Sequence, residues 1–147
     1  MTEAETRLQA QTLRRATSRF QRALRSARDP DGPTPAQLSV LGTLHRQGPL
    51  VAGQLANRER LKPQSVTRLI AALAALGLVK RVVDETDRRR FVVAITIEGR
   101  DTLSREMRRR DRQLAQLLAN LSDAERSTIA AVCSLLERLA KAATDPS

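Results

Sequence analysis

Two short runs rich in β-branched residues lie close together near the middle of the sequence. They are residues 78–83 (LVKRVV) and 91–97 (FVVAITI), and the charged segment 84–90 (DETDRRR) separates them. Runs of this composition and spacing predict an antiparallel β-hairpin. A lone hairpin cannot bury a core, so it must pack against other elements. Because the rest of the sequence has helical periodicity, we expect a mainly α protein with a small β-hairpin (class α+β).

Two segments before residue 50 have the apolar spacing of amphipathic helices. In the N-terminal segment the apolar positions are Leu13, Ala16, Phe20, Leu24 and Ala27. Residues 29–33 (DPDGP) break that helix. Thr34 and Gln37 then have the spacing of a capping box, with Pro35 at the first helical position. The helix that begins there ends near Gly48, and its inward residues are Leu38, Leu41 and Leu44.

Two more helices, joined by a tight turn, are predicted before the hairpin. The first covers 51–58, with Leu55 and Ala56 inward, and the second covers 62–76. Gly77 suits the left-handed C′ position that ends the second helix. One side of the second helix, which we expect to face the core, carries Val66, Leu69, Ile70, Leu73 and Leu76. The opposite side carries Gln64, Ser65, Thr67 and Arg68.

Two long amphipathic helices are predicted after the hairpin. The first begins at Thr96 and carries Leu103, Met107, Leu114, Leu117 and Leu118. Ser122 and Glu125 form a capping box for the last helix. Its apolar stripe is Ile129, Val132, Cys133, Leu136 and Leu139. The rest of the chain offers too little core to cover the terminal helices. We therefore expect the helices in 1–30 and 100–145 to form a dimer interface within a single domain, 1–147.

The charge of the chain favours a polyanionic partner. The formal net charge is +10, and residues 1–30 and 61–100 each contribute +4. No acidic residue lies between Leu61 and Val83, which covers the second helix of the closely spaced pair. Nucleic acid is the commonest polyanion that a strongly basic protein binds.

A helix–turn–helix unit followed directly by a hairpin has the element order of a winged helix. The second helix of such a unit enters the major groove with its first turns leading. Short polar side chains and arginine at those turns can read base edges or hold phosphates. The predicted DNA-binding residues of this helix are Lys62, Gln64, Ser65, Thr67 and Arg68.

The tip of the hairpin has a different chemistry, because it places Arg88, Arg89 and Arg90 next to acidic residues. A narrow minor groove concentrates negative potential, and an inserted arginine exploits that potential without a unique base code. The acidic residues would pair with a neighbouring guanidinium and fix its direction. The segment 84–90 is therefore interpreted as a DNA-binding wing rather than a solvated turn.

Residues 34–103 resemble the MarR (multiple antibiotic resistance regulator) family of winged-helix transcription factors. The matching stretches are TPAQLSVLGTL (34–44), VAGQLA (51–56) and SVTRLIAALAALGLVKRVVDETDRRRFVVAIT (65–96). The most specific feature is the combination of Gly77-Leu78-Val79, Asp87-Arg88-Arg89 and Thr96-Ile97-Glu98-Gly99. The predicted terminal helices also fit the family's dimerisation region, so the likeness extends over nearly the whole chain.

The resemblance implies a homodimeric, cytoplasmic transcriptional regulator, most often a repressor, that binds a pseudo-palindromic operator in double-stranded DNA. It places the DNA-binding region at 34–98, the recognition helix at Lys62–Leu76 and the wing at 84–90. The family's Asp-x-Arg wing motif falls on Asp87 and Arg89, so Arg89 is the inserted arginine and Asp87 orients it. The neighbouring arginines, Arg88 and Arg90, would contact phosphates or support the wing. Family members commonly release DNA when a small aromatic or anionic effector binds between the DNA-binding and dimerisation regions.

Three other classes of function fit the sequence less well. A non-specific basic architectural or RNA-associated protein is compatible with the composition, but the varied polar side of 62–76 argues against it. A winged helix that binds a protein instead of DNA would not need the three wing arginines. An enzyme has little support, because the sequence lacks a nucleophile–base pair, a phosphate-binding glycine-rich loop and a metal cluster. We expect no cofactor and no metal.

Four remaining features complete the sequence-based predictions. Cys133 is interpreted as an inert core or interface residue, with a redox sensor that bridges two subunits as the alternative. His45 is interpreted as a surface residue at a helix end. The chain has no Tyr or Trp to stack on a phenolic effector, so the sequence leaves an effector site undefined. No apolar run reaches the roughly 18 residues of a membrane span and no signal peptide is evident, so we expect a soluble, intracellular protein.

Overall fold

The computed structural model describes residues 1–26 and 29–144. The chain divides into two compact units, Met1–Arg108 and Arg109–Ser147. Within the described residues the elements are α1 (Glu3–Ser26), α2 (Pro35–Gln47), α3 (Ala52–Glu59), α4 (Pro63–Ala75), β1 (Val79–Val83), β2 (Phe91–Ile95), α5 (Ile97–Ala119) and α6 (Asp123–Thr144). Of the predicted helical segments, Ala27, residue 28 and residue 145 lie outside the described residues.

Helix α2 begins with the predicted capping box. The backbone N–H of Gln37 donates to Thr34 Oγ1 at 3.2 Å, and the backbone N–H of Thr34 donates to Gln37 Oε1 at 2.8 Å. These two bonds satisfy backbone donors that a helix start leaves unpaired. The predicted inward residues Leu38, Leu41 and Leu44 are all buried, so this part of the prediction is confirmed.

Helix α4 buries one side against α2, α3 and β1. Val66, Ile70 and Leu73 are buried, and Leu69 is partly buried against the same core. The prediction that Leu76 faces the core is wrong, because 59% of this residue is exposed.

The end of α4 explains why Leu76 lies outside the core. Gly77 adopts a positive φ of 73°, as its predicted C′ position requires. The backbone N–H of Leu78 then donates to the carbonyl oxygen of Leu73 at 2.9 Å, which is the bond of a Schellman motif. This turn brings the buried side chain of Leu78 into the core instead of Leu76.

Strands β1 and β2 form the predicted antiparallel hairpin. Val79 pairs with Ile95 at its base, and Val83 pairs with Phe91 at its outer end. Leu50, just before α3, adds an isolated bridge to Val93, with N–H to oxygen bonds of 3.1 and 2.8 Å. The buried side chains of Val79, Val93 and Ile95 join the helical core, so the predicted mainly α class with a small hairpin is confirmed.

The junction between β2 and α5 ties three elements together. The Thr96 hydroxyl donates to the carbonyl oxygen of Gly77 at 2.6 Å and accepts from the backbone N–H of Gly99 at 3.0 Å. The backbone N–H of Thr96 donates to the carbonyl oxygen of Leu78 at 3.0 Å. Gly99 is buried so close to the chain that a Cβ there would lie 2.1 Å from the Leu78 oxygen. The start of α5 is therefore fixed to the end of α4 and the start of β1.

The terminal helices keep apolar side chains exposed, each within its own unit. On α1, Leu13 and Phe20 are exposed, and every residue of α6 is at least partly exposed. The predicted Ser122–Glu125 capping box at the start of α6 is confirmed by backbone N–H to side-chain oxygen bonds of 2.8 and 3.3 Å. Cys133 is exposed, so the core interpretation of this residue is wrong, and the interface interpretation stays a prediction.

Candidate nucleic-acid interface

The outward side of α4, with its N-cap, carries the five recognition-helix residues predicted to contact DNA. Lys62 occupies the N-cap position, and its side chain is exposed. The polar residues that follow, Gln64, Ser65, Thr67 and Arg68, are exposed as well. The Thr67 hydroxyl donates to the Pro63 carbonyl oxygen at 2.9 Å, which leaves the lone pairs of its oxygen free to accept. With no carboxylate between 61 and 83, this surface repels neither phosphates nor electronegative base edges.

A carboxylate bridge holds the helix before the turn in place. Glu59, the last residue of α3, accepts one hydrogen bond from the Ser39 hydroxyl at 2.6 Å and another from the Thr43 hydroxyl. Both donors belong to α2, so the bridge fastens the end of α3 to α2 immediately before the turn that leads into α4. The sequence carries no local signal for this bridge, because its partners are far apart along the chain.

At the wing tip, the structure brings Asp87 and Arg89 together. Asp87 Oδ1 accepts from the backbone N–H of Arg89 at 3.1 Å and from its Nε at 3.4 Å. The Arg89 side chain is nevertheless 93% exposed. An ion pair this exposed contributes at most about 1 kcal/mol. Arg89 can therefore exchange Asp87 for a DNA partner at little cost. Arg88 is also exposed, and among the described residues it has no hydrogen-bond or ion-pair partner.

The base of the wing is held by a second acidic residue, Asp84, one of the acidic residues predicted to pair with a neighbouring guanidinium but not assigned to the site. Asp84 Oδ1 accepts from the backbone N–H of Thr86 at 2.9 Å and from its hydroxyl at 2.8 Å. Asp84 Oδ2 accepts from Nε of Arg90. These bonds, with the Thr86 backbone bond as the largest contribution and the Arg90 bond next, lower the pKa of the Asp84 carboxyl to about 2.

The Asp84 contacts separate the roles of the wing arginines. Arg90 is turned back to Asp84, where the wing joins the outer end of the two strands, whereas Arg89 extends from the wing tip. The spacing of Asp84 and Thr86 is that of an Asx turn, so a local signal for this half of the cluster was present in the sequence. The contact from Arg90 depends on the hairpin register, and the sequence carried no local signal for it.

A cavity of about 220 Å³ lies between α4 and the hairpin. Its lining combines a cation with apolar and polar groups: Ala52, Thr67, Ile70, Arg81, Phe91 and Val93. Phe91 is one of only two aromatic residues in the chain. The cavity is thus lined by a guanidinium and an aromatic ring, beside the helix predicted to read DNA.

Two other expectations concern metals and membranes. His45 is exposed in the last turn of α2, as the surface interpretation predicts. In the described part of the chain, no three His, Cys, Asp or Glu side chains are grouped as metal ligands would be. The helices of residues 1–26 and 29–144 are all too short or too polar to cross a membrane.

Comparisons with known proteins identify the family. Residues 31–90 match the MarR family. An HTH-type transcriptional regulator of Mycobacterium bovis is 37% identical over 137 residues, which cover 92% of this chain and 94% of the relative. The chain belongs to the MarR family. The MarR resemblance predicted from the motifs is therefore confirmed.

Other relatives agree with this identification. The transcriptional repressor MdtR of Bacillus subtilis is 28% identical over 130 residues, which cover 88% of this chain and 84% of MdtR. A MarR family protein from Bacillus stearothermophilus has the same fold, with a TM-score of 0.80, 26% identity and 99% of each chain covered. This MarR family member is thus a transcriptional regulator with a DNA-binding fold and not an enzyme.

Proposed function

We propose that this protein is a homodimeric, sequence-specific repressor that reads a pseudo-palindromic operator. The observation that carries the proposal is the pairing of two exposed surfaces that present basic and polar side chains. One is the outward side of α4, and the other is the wing tip with Arg89 extended from it. In this proposal α4 enters the major groove and Arg89 enters the adjacent minor groove.

Each predicted site residue has a distinct part in the proposed complex. Lys62 and Arg68 supply charge at the edge of the major groove, where phosphates lie. Gln64, Ser65 and Thr67 are suited to base edges, because each offers a short donor or acceptor. In the wing, Asp87 aims the inserted arginine, Arg88 contacts phosphate, and Arg90 supports the hairpin through Asp84.

The proposed dimer explains the exposed apolar side chains of the terminal helices. Segments 1–30 and 100–145 would form the interface, and segment 34–98 would form the DNA-binding region. A two-fold dimer places two recognition helices about one DNA turn apart, ~34 Å, which matches a pseudo-palindromic operator. Repression is the activity named for MdtR of Bacillus subtilis, and we extend it to this chain. A repressor of this kind acts in the cytoplasm.

We further propose that a small aromatic anion releases the operator. The cavity between α4 and the hairpin offers Arg81 for a carboxylate and Phe91 for an aromatic ring. Benzoate is a suitable probe. It should raise the Tm of the parent protein and weaken operator binding, and Arg81→Ala should abolish both effects. A parent Tm and operator affinity that are unchanged at millimolar benzoate would contradict this part of the proposal.

The DNA-binding proposal is tested by selecting an operator from a random duplex library and measuring affinity by gel shift. We expect nanomolar binding that weakens steeply with salt. Arg89→Ala should weaken operator binding by about 10- to 100-fold. Arg46→Ala is the control, because Arg46 is also exposed but lies in the last turn of α2, outside α4, the wing and the proposed dimer interface. Equal affinity of Arg89→Ala and the parent would refute the wing assignment.

The competing class, a non-specific architectural protein, gives a different result in the same experiment. Its affinity for random duplex would equal that for any selected sequence, and selection would enrich no common motif. Unlabelled random duplex would then compete as well as the unlabelled operator.

A further inference from the structure

The turn between α3 and α4 contains an unusual backbone conformation. Arg60 has a φ of 53° and a ψ of 42°, and within the described residues no other non-glycine residue has a positive φ. The left-handed conformation is costly for a residue with a Cβ and is usually occupied by glycine or asparagine. Strained backbone of this kind is concentrated at functional sites. An arginine in a position suited to glycine suggests that its side chain has a use.

The surroundings of Arg60 form a basic depression on the surface. The depression has a volume of about 420 Å³ and is lined by Gln54, Asn57, Arg58 and Arg60. All four residues are exposed. Among the described residues, neither Arg58 nor Arg60 has a side-chain hydrogen bond or ion pair. The two guanidinium groups are therefore available to an external anion.

The carboxylate of Glu59 faces away from this depression. Glu59 lies between the two arginines in sequence, but both of its oxygens accept hydrogen bonds from hydroxyls of α2, those of Ser39 and Thr43. Its charge is thus directed towards α2 rather than towards the arginines. Lys62, two residues beyond Arg60, adds a third exposed cation. The turn presents three cations in five residues, with the intervening acid occupied elsewhere.

We propose that Arg58 and Arg60 bind a backbone phosphate of the DNA that α4 reads. This inference rests on the proposed DNA-binding function and deepens it. The first helix of a helix–turn–helix unit crosses the DNA backbone while the second enters the groove. A guanidinium matches the two oxygens of a phosphate in a bidentate contact. The side-chain amide nitrogens of Gln54 and Asn57 are further donors for the same anion.

A phosphate contact at this turn has a function that base contacts do not supply. It fixes the depth and register of the recognition helix without reading sequence. It should therefore strengthen binding to the operator and to random duplex by the same factor. This distinguishes Arg60 from Gln64, whose replacement should affect the operator more than random duplex.

The decisive variant is Arg60→Gly, because it separates protein stability from DNA binding. Relief of the backbone strain should keep or raise the Tm, whereas loss of the phosphate contact should lower the affinity for DNA. Glycine relieves the left-handed conformation, so the Tm should stay unchanged or rise by up to about 3 °C. Loss of the guanidinium should weaken DNA binding by about tenfold for both operator and random duplex. The slope of log Kobs against log salt concentration should become less negative by about 0.9. Arg60→Lys should restore part of the affinity and most of the slope.

Three outcomes would overturn the inference. In the first, Arg60→Gly binds both duplexes with the parent's affinity and salt slope while Arg89→Ala is weakened; the proposed function then stands without this contact. In the second, the Tm of Arg60→Gly falls by several degrees and its salt slope equals that of the parent, which would mean that the arginine stabilises the turn and contacts no phosphate. In the third, inorganic phosphate at matched ionic strength raises the Tm of the parent but not that of Arg60→Gly, while the two proteins bind DNA with equal affinity. The site would then bind a free anion and not the DNA backbone. If the parent binds every duplex with the same affinity, the proposed sequence-specific function fails. The salt slope for random duplex, compared between the parent and Arg60→Gly, still decides the role of Arg60.

Discussion

Replacing Gly99 by alanine tests how tightly the start of α5 is joined to the hairpin. A Cβ at this position would lie 2.1 Å from the carbonyl oxygen of Leu78 and 2.8 Å from Cγ1 of Ile95. A backbone oxygen cannot rotate away, so the first turn of α5 must move. Overpacking of this kind costs about 1–3 kcal/mol. The movement also stretches the two Thr96 hydroxyl hydrogen bonds, each of which contributes about 1 kcal/mol.

The gain from alanine only partly offsets this loss. The higher helix propensity of alanine returns at most about 1 kcal/mol. We therefore expect Gly99→Ala to lower the free energy of unfolding by about 3 kcal/mol. For a chain of this size, that corresponds to a fall in Tm of about 6–12 °C. Urea unfolding followed by circular dichroism measures the free energy directly, at a fixed protein concentration because the stability of the proposed dimer depends on it.

Gly53→Ala is the matched control for this experiment. Gly53 lies inside α3, and a Cβ there would meet nothing within 4 Å. Alanine should therefore stabilise the chain at this position by up to about 1 kcal/mol. A loss of less than about 1 kcal/mol for Gly99→Ala, or the same change for both variants, would refute the proposed close contact with the Leu78 oxygen.

Three further predictions concern the wing, the core and the terminal helices. Arg90→Ala should raise the pKa of the Asp84 carboxyl from about 2 towards its ordinary value, as measured by carboxyl-carbon NMR titration. Because the folded pKa is depressed, this group's contribution to stability is complete above about pH 4 and is lost as the pH falls towards 2. Leu73→Ala should destabilise the protein by about 2–5 kcal/mol, since Leu73 is fully buried, whereas Leu76→Ala should change stability by less than about 0.5 kcal/mol in the same urea titration. Phe20→Ser should shift sedimentation velocity from dimer to monomer without a loss of helical signal per residue, and an unchanged dimer would contradict the proposed interface.

The helix boundaries were predictable wherever a local chemical signal marks them. The capping boxes at Thr34 and Ser122 and the C′ glycine at 77 each act over three or four residues, so the sequence alone carries the information. The hairpin was equally visible, because its two runs are close and rich in β-branched residues. These signals, with the family resemblance, were sufficient for the fold class.

Other features depend on contacts that a linear pattern does not contain. Helical spacing assigned Leu76 to the core side, but the turn at Gly77 ends the helix first and brings in Leu78. The bridge from Glu59 to α2 and the contact from Arg90 to Asp84 depend on tertiary packing and on hairpin register. The left-handed conformation of Arg60 could not be predicted either, because the position has neither of the residues, glycine and asparagine, that usually adopt it.

The Thr96 junction has a mechanical consequence for the proposed release of DNA. One hydroxyl joins the residue that ends α4 to the first turn of α5, and the adjoining backbone bond holds the start of β1. Helix α4 and the wing are therefore both connected to the same point, the start of α5. A ligand that displaces the start of α5 would move α4 and the wing together, so the proposed major-groove and minor-groove contacts would be lost at the same time. Each subunit of the proposed dimer would then release both grooves of the operator together, and not one groove before the other.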